Sequence, residues 1–351
     1  MYKIGKIAVT AALLAGGVIS QASADLAEYY KDRTVTVIIP YGPGGTYDKY
    51  GSTFANHIGK YIPGKPTVIL QHMPGAGGAK AMNYTYGVAP KKGFHMVVPL
   101  DNMVVSQLLR PKRLKYKSDK FNFLGSSNQT NSVMAIRTDS GASTWQEMRK
   151  VKIIGSSSGK NSSTYLMAKL SAQLLGLKIQ MVTGYKGSSR SMMAMEQGES
   201  QMSSPNWLAW NSKVPHWFTG PRDGGKGKPF AVAVLQNGFF KDPALPNVPM
   251  LTDLVSDKDK PLARFLASAG PLGRGLALPP GVDRKIVAAA RTAYNKMNAD
   301  KAFAAELKKK KLRLIASTGE TIQKIVSDTI KEASPEVISR VRQLIYGRSS
   351  I

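Results

Sequence analysis

The 351 residues carry 49 lysines and arginines against 22 aspartates and glutamates, a formal net charge of +27, with no cysteine and 42% hydrophobic residues. Without cysteine there is no disulfide, no thiolate metal site, no thiol nucleophile and no lipid-modified cysteine. The hydrophobic content is ordinary for a globular protein, and the length exceeds the size at which one core usually divides, so two domains are expected.

Residues 1–24 read as a secretory signal peptide. Lys3 and Lys6 form a basic start, Ile7 to Ile19 an apolar stretch broken by Gly16-Gly17, and Ala22-Ser23-Ala24 a small-residue cleavage site. The apolar stretch is shorter than the ~20 residues of a membrane-spanning helix. The mature chain is expected to start near Asp25, to be exported, and to keep a positive surplus of 25 after the two leader lysines are lost. Such a field concentrates anions, although most of it reads as a solvated lysine surface. Lys308 to Lys311 follow a helical run and suit the negative end of its dipole.

Two glycine-rich turns come next, each leading from an apolar strand into a helix. The first strand, 34–39, runs into Pro40-Tyr41-Gly42-Pro43-Gly44-Gly45-Thr46-Tyr47-Asp48. The second, 68–71, runs through His72 into Met73-Pro74-Gly75-Ala76-Gly77-Gly78-Ala79. A helix start presents free N–H groups and partial positive charge, and glycine lets that backbone approach a ligand. Backbone N–H groups at 42–46 and 75–79 are therefore expected to grip one carboxylate together. Asp48, an acid in a first turn, is expected to stabilise the helix start rather than touch the ligand.

Strands and helices then alternate, the pattern of α/β architecture with mostly parallel sheets. A helix near 79–86 precedes strands at 95–98, 121–124, 133–136 and 152–154. The last meets Gly155-Ser156-Ser157-Ser158-Gly159-Lys160-Asn161-Ser162 and a helix to Leu175. A strand at 178–182 leads through Tyr185-Lys186-Gly187 into a helix to Glu196, in which Met192, Met193 and Met195 read as core. The stretch 220–228 reads as a flexible connector, 230–235 as a strand. Helices follow at 283–298, 301–310 and 319–345, the last interrupted near Pro335. Trp207 and Trp210, three residues apart, either cover a ligand or pack one helix face; spacing does not choose. Tyr41 and Tyr185 are placed to line a pocket.

Several near-motifs fail. Gly155-Ser156-Ser157-Ser158-Gly159 matches the G-x-S-x-G turn of serine hydrolases in the right context, so a secreted hydrolase using Ser157 is the alternative reading. The only histidine after it, His216, lies mid-chain in Pro215-His216-Trp217. Gly220-x4-Gly225-Lys226 has Gly227 where a P-loop needs Ser or Thr. Gly42-x-Gly44 and Gly75-x-Gly77 have Tyr47 and Lys80 where a dinucleotide fingerprint needs its third glycine. His57, His72, His95 and His216 form no metal-ligating pattern. No cofactor and no nucleic acid are expected.

The IPYGPGGTYD and MPGAGG segments resemble the periplasmic binding proteins of tripartite tricarboxylate transporters, the Bug family. So do Gly184-Tyr185-Lys186-Gly187, Asp242-Pro243-Ala244-Leu245-Pro246-Asn247-Val248-Pro249 and Leu278-Pro279-Pro280-Gly281-Val282. The likeness runs through the chain after the leader. It implies a two-lobed, hinged-cleft fold, with residues 25–109 and 230–351 in one domain and 110–229 in the other. It also implies a monomeric carboxylate receptor serving membrane components of such a transporter, with transport and sensing left open. The ligand would meet Tyr41, Gly42, Gly44, Gly45 and Thr46, then Gly75, Ala76, Gly77 and Gly78. Its distal end would be selected by Ser156, Ser157, Ser158, Asn161 and Ser162, with Tyr185, Lys186 and Gly187. Lys186 departs from the proline or arginine frequent in relatives, and Tyr165 stands near where some carry histidine.

Overall fold

The computed structural model describes residues 24–220 and 227–347; the leader lies outside this range, apart from its last residue, and so do Gly225 and Lys226 of the connector. The first sheet is built on β1 (Thr34–Ile39), β2 (Thr67–His72), β3 (His95–Val97) and β4 (Asn122–Ser126). The second holds β5 (Ser132–Arg137), β6 (Ile153–Ser157), β7 (Ile179–Thr183), β8 (Met202–Ser203) and β9 (Ala231–Asn237). The chain then returns to the first sheet with β10 (Gly275–Leu278) and β11 (Ser317–Thr318). The orders are β11-β4-β10-β3-β1-β2 and β7-β6-β8-β5-β9. The predicted helices are present at Ala79–Gly87, Ser163–Leu175, Ser188–Glu196, Arg284–Asn298, Lys301–Lys309, Gly319–Glu332 and Pro335–Tyr346.

Each sheet is parallel in one half and antiparallel in the other, a departure from the mostly parallel sheets expected. β2-β1-β3 and β7-β6-β8 run parallel. β10 is antiparallel to β3 and β4, and β5 is antiparallel to β8 and β9. The geometry of crossing explains this. A chain that leaves one lobe on β4 and returns on β10 beside it must run the opposite way, and β5 and β9 bear the same relation. The sheet changes between Ser126 and Ser132 and again between Asn237 and Gly275, not near residues 110 and 230. The glycine-rich stretch at 220–228 resembles a linker, but it joins two parts of the second lobe. The crossing segments run side by side: Ser127 N–H donates to the Arg274 carbonyl at 2.7 Å, and Thr130 N–H to Gly270 at 3.4 Å.

Separate cores fill the lobes. Val37, Ile38, Phe54, Met96, Phe123, Leu276, Tyr294 and Phe303 belong to the first. The second sheet is covered on one side by Met148, Ala168, Leu175 and Leu251, and on the other by Met192, Met195, Trp207, Trp210 and Trp217. Trp207 and Trp210 are thus core residues, which resolves the alternative that spacing left open. A further apolar cluster joins the lobes: Val105 and Leu109, Tyr165, Leu166 and Leu170, Phe265, and Val341 and Ile345 of the last helix. Pro335 starts that helix at its first position and Ser334 Oγ accepts from Val337 N–H, so the interruption is a new helix start.

Helix Lys301–Lys309 is tied to helix Thr46–Ile58 through Glu306. Its carboxylate pairs with Lys310 at 2.7 Å and His57 Nε2 at 2.8 Å, and accepts from Asn56 and Thr53. Partial burial raises its pKa, but these hydrogen bonds outweigh that and hold it at about 2, against an ordinary 4.5. A depressed carboxyl adds stability above its unfolded pKa and loses it as pH falls through the folded one. Denaturant midpoints are therefore expected to fall between pH 4.5 and 2, and to fall less in Glu306→Gln. Equal slopes in the two proteins would remove Glu306 from the account.

Candidate functional site

Between the lobes lies a cavity of about 40 Å³, bordered by Tyr41, Gly42, Pro43, Gly45 and Thr46, by Ser158 and Ser162 to Thr164, and by Lys186 to Ser189, Asn206 and Arg274; Gly44 of the predicted set does not border it. Three helices of 13, 13 and 9 residues, Thr46–Ile58, Ser163–Leu175 and Ser188–Glu196, begin there. Their dipoles all present the positive end to the same small space, and no acidic side chain among the described residues borders it. Few arrangements favour an anion more plainly.

The first glycine loop supplies fewer donors than its sequence offers. Gly42 N–H donates across the cleft to the Lys186 carbonyl at 2.9 Å. Gly44, at φ +87°, donates to Asp48 Oδ2 at 2.8 Å. The N–H groups of Gly45 and Thr46 have no partner among the described residues. Asp48 Oδ1 meets His72 Nε2 at 2.7 Å, so this acid fastens the loop to the end of β2 and does not face the cavity. Across the gap, Ser189 Oγ is buried without a partner among the described residues, and a Cβ built on Gly45 would lie 3.2 Å from Ser188 Oγ.

The two glycine loops open onto different cavities. Gly75, Ala76, Gly77 and Gly78 border a second space of about 180 Å³ with Tyr185, Gly184, Tyr41, Ser158 and Lys186. Tyr41 divides the two, its hydroxyl donating to the Gly77 carbonyl at 3.1 Å. Burial raises the pKa of Tyr41 and of Tyr47, so both stay protonated near neutral pH. The lobes touch backbone to backbone here: a Cβ on Gly159 would lie 2.8 Å from Gly77 N.

Tyr41, Gly42, Gly45, Thr46, Ser158, Ser162, Lys186 and Gly187 thus surround the first cavity. Tyr185 borders the second with its hydroxyl on Glu199 Oε2 at 3.0 Å. Ser162 Oγ is spent on its own helix start, accepting from Tyr165 N–H. Ser156, Ser157 and Asn161 are buried and border neither cavity. Ser156 Oγ donates to the Ser191 carbonyl and accepts from Ser200 Oγ, as a structural hydroxyl would. The Asn161 carbonyl holds Asn102 Nδ2 at 2.7 Å. Ser157 Oγ has no partner, histidine included, among the described residues. Ester and amide panels are accordingly expected to show no turnover in the parent or in Ser157→Ala; turnover that disappears in the variant would restore the hydrolase.

Sequence reading missed Arg274. It is 2% exposed, its Nη1 pairs with Asp101 Oδ2 at 3.1 Å, and its Nη2 donates to Thr46 Oγ1 at 3.3 Å. The guanidinium lies 3.6 Å from the centre of the Tyr47 ring, and Nε has no partner among the described residues. It therefore fixes the first turn of helix Thr46–Ile58 from behind while adding positive charge to the cavity. Ser188, Ser189 and Asn206 were also missed, although two serines directly after Gly187 at a helix start are a readable signal.

The profile described as "Tripartite tricarboxylate transporter family receptor" matches residues 61–342. A UPF0065 protein from Bordetella pertussis is 24% identical over 294 residues, 82% of this chain and 83% of that one. The structure of the periplasmic binding protein BugD superposes with a TM-score of 0.69 at 15% identity, covering 90% of this chain and 98% of that one. MatC from Rhodopseudomonas palustris, solved with bound malate, gives 0.67 at 18% identity over 89% and 99%. The chain belongs to the tripartite tricarboxylate transporter receptor family, whose members are solute-binding receptors rather than enzymes.

Proposed function

We propose that this receptor closes its two lobes over a small organic carboxylate and delivers it to the membrane components of a tripartite transporter. The observation that carries this reading is the convergence of three helix starts on one space between the lobes that no acidic side chain among the described residues borders. A carboxylate fits there against the N–H groups of Gly45 and Thr46 and the hydroxyls of Ser188 and Ser189. The neighbouring cavity, with Lys186 shared between the two, takes the distal end, which favours a dicarboxylate. The malate held by MatC is of this class. In this reading the leader at 1–24 exports a monomer to the periplasm. The hinge is formed by residues 127–131 and 268–274, and Asp48 is structural. Ligand moves such a hinge only through higher affinity for the closed state. Small-angle scattering of the protein with a saturating acid, binding having been confirmed by calorimetry, is expected to show a smaller radius of gyration than without it. An unchanged radius would reject closure.

A further inference from the structure

A second basic site lies away from the cleft. A groove of about 660 Å³ is walled by Arg110, Lys112, Arg113, Lys160, Lys169 and Arg342, and no acidic side chain among the described residues borders it. This volume is that of a small-molecule site. Its walls come from four places: the turn after helix Met103–Leu109 of the first lobe, the loop at Lys160 and helix Ser163–Leu175 of the second, and the end of the C-terminal helix Pro335–Tyr346.

Two of the cations are held in place. Arg342 donates from Nε to the Leu109 carbonyl and from Nη2 to that of Leu108, both at 2.8 Å. Those bonds fix its direction, and Arg342 enters no ion pair among the described residues. Arg110 lies 5.4 Å from the centre of the Tyr346 ring, and the Tyr346 hydroxyl donates to the Lys160 carbonyl at 3.1 Å. Arg110, Lys112, Arg113, Lys160 and Lys169 enter no ion pair among the described residues. By contrast, Lys60, Lys120, Lys260, Lys310 and Lys324 each have a carboxylate. Six like charges facing one concave space repel one another and raise the local concentration of anions.

We infer that this groove is a second anion site, independent of the cleft, for a compact small molecule bearing three or more phosphate or carboxylate charges. Flat guanidiniums at Arg110 and Arg342 grip such oxygens in pairs, and the flexible lysines and Arg113 close around them.

The test is calorimetry with two probes, tripolyphosphate and propane-1,2,3-tricarboxylate, in the parent and three variants. Arg113→Gln/Lys169→Gln removes two groove charges, Lys308→Gln/Lys309→Gln removes the same charge elsewhere, and Gly45→Val blocks the cleft. The site predicts saturable binding of at least one probe, weakened about tenfold or more by the groove variant. The other two variants should change it less than about twofold, and added salt should weaken it. The tighter probe identifies phosphate or carboxylate as the ligand chemistry. Equal weakening by both double variants would show a diffuse field instead of a site, and loss in Gly45→Val would place the probe in the cleft. Binding of neither probe, or only of a glutamate-rich peptide, would overturn the small-molecule assignment.

Discussion

Arg274→Met is expected to lower folding stability by about 3–5 kcal/mol, the cost of stranding one partner of a buried ion pair. Asp101 is 7% exposed and its Oδ2 depends on Arg274 Nη1; methionine leaves that carboxylate in a dry site. The loss also removes the cation over the Tyr47 ring and the bond to Thr46 Oγ1, so the start of helix Thr46–Ile58 should loosen and carboxylate affinity should fall with stability. Adding Asp101→Asn to Arg274→Met removes the stranded charge and should recover part of the stability without restoring the affinity. Guanidinium unfolding of the single and double variants measures this. A single variant as stable as the parent would show that the pair carries no weight in the fold.

Gly45→Val is expected to weaken carboxylate binding roughly 10- to 150-fold, the equivalent of one charge-assisted hydrogen bond, in a protein that remains folded. Gly45 sits at φ −86° and ψ 177°, a backbone open to any residue. The need for positive φ falls on Gly44 instead. Valine at position 45 therefore acts through the space it takes: its Cβ meets Ser188 Oγ at 3.2 Å, and its branches occupy the mouth of the cavity. Calorimetry on protein checked by circular dichroism is the measurement, with Lys309→Ala as the exposed control expected to change little. Normal binding in the valine variant would mean that this loop does not hold the anion.

Much of this was legible beforehand because the signals are local. Apolar runs followed by glycine or serine and then by period-3.6 stretches placed β1, β6, β7 and the helices after the last two to within a few residues. The loops at 42–46 and 185–187 were found as loops for the same reason; the one read at 156–162 begins only at 158, because Ser156 and Ser157 end β6. What escaped depends on contacts distant in sequence. Arg274 stands between Gly273 and Gly275 in a segment with no periodicity, and it becomes a site residue only because β10 lies against β4 and β3. Gly273 takes φ +45°, and a Cβ on it would overlap the Asn128 carbonyl oxygen. The glycines thus serve the paired crossings, which cannot be seen from one side. The separation of the two glycine loops by Tyr41 was equally hidden, since a loop sequence shows its donors and not which carbonyl its neighbour's hydroxyl will reach. The sheet changes do not coincide with the bounds near 110 and 230 that the resemblance implies, since β4 belongs to the first sheet and β9 pairs with β5 of the second.

The claim at the centre of this account is that the cleft recognises negative charge at converging helix starts. It is tested most directly by titrating the protein with malate and with malamide, its uncharged diamide, under identical conditions. Saturable one-to-one binding of the acid is expected, at least about tenfold tighter than the amide, with the preference abolished in Gly45→Val. Equal affinity for the two, or tighter binding of the amide, would contradict it.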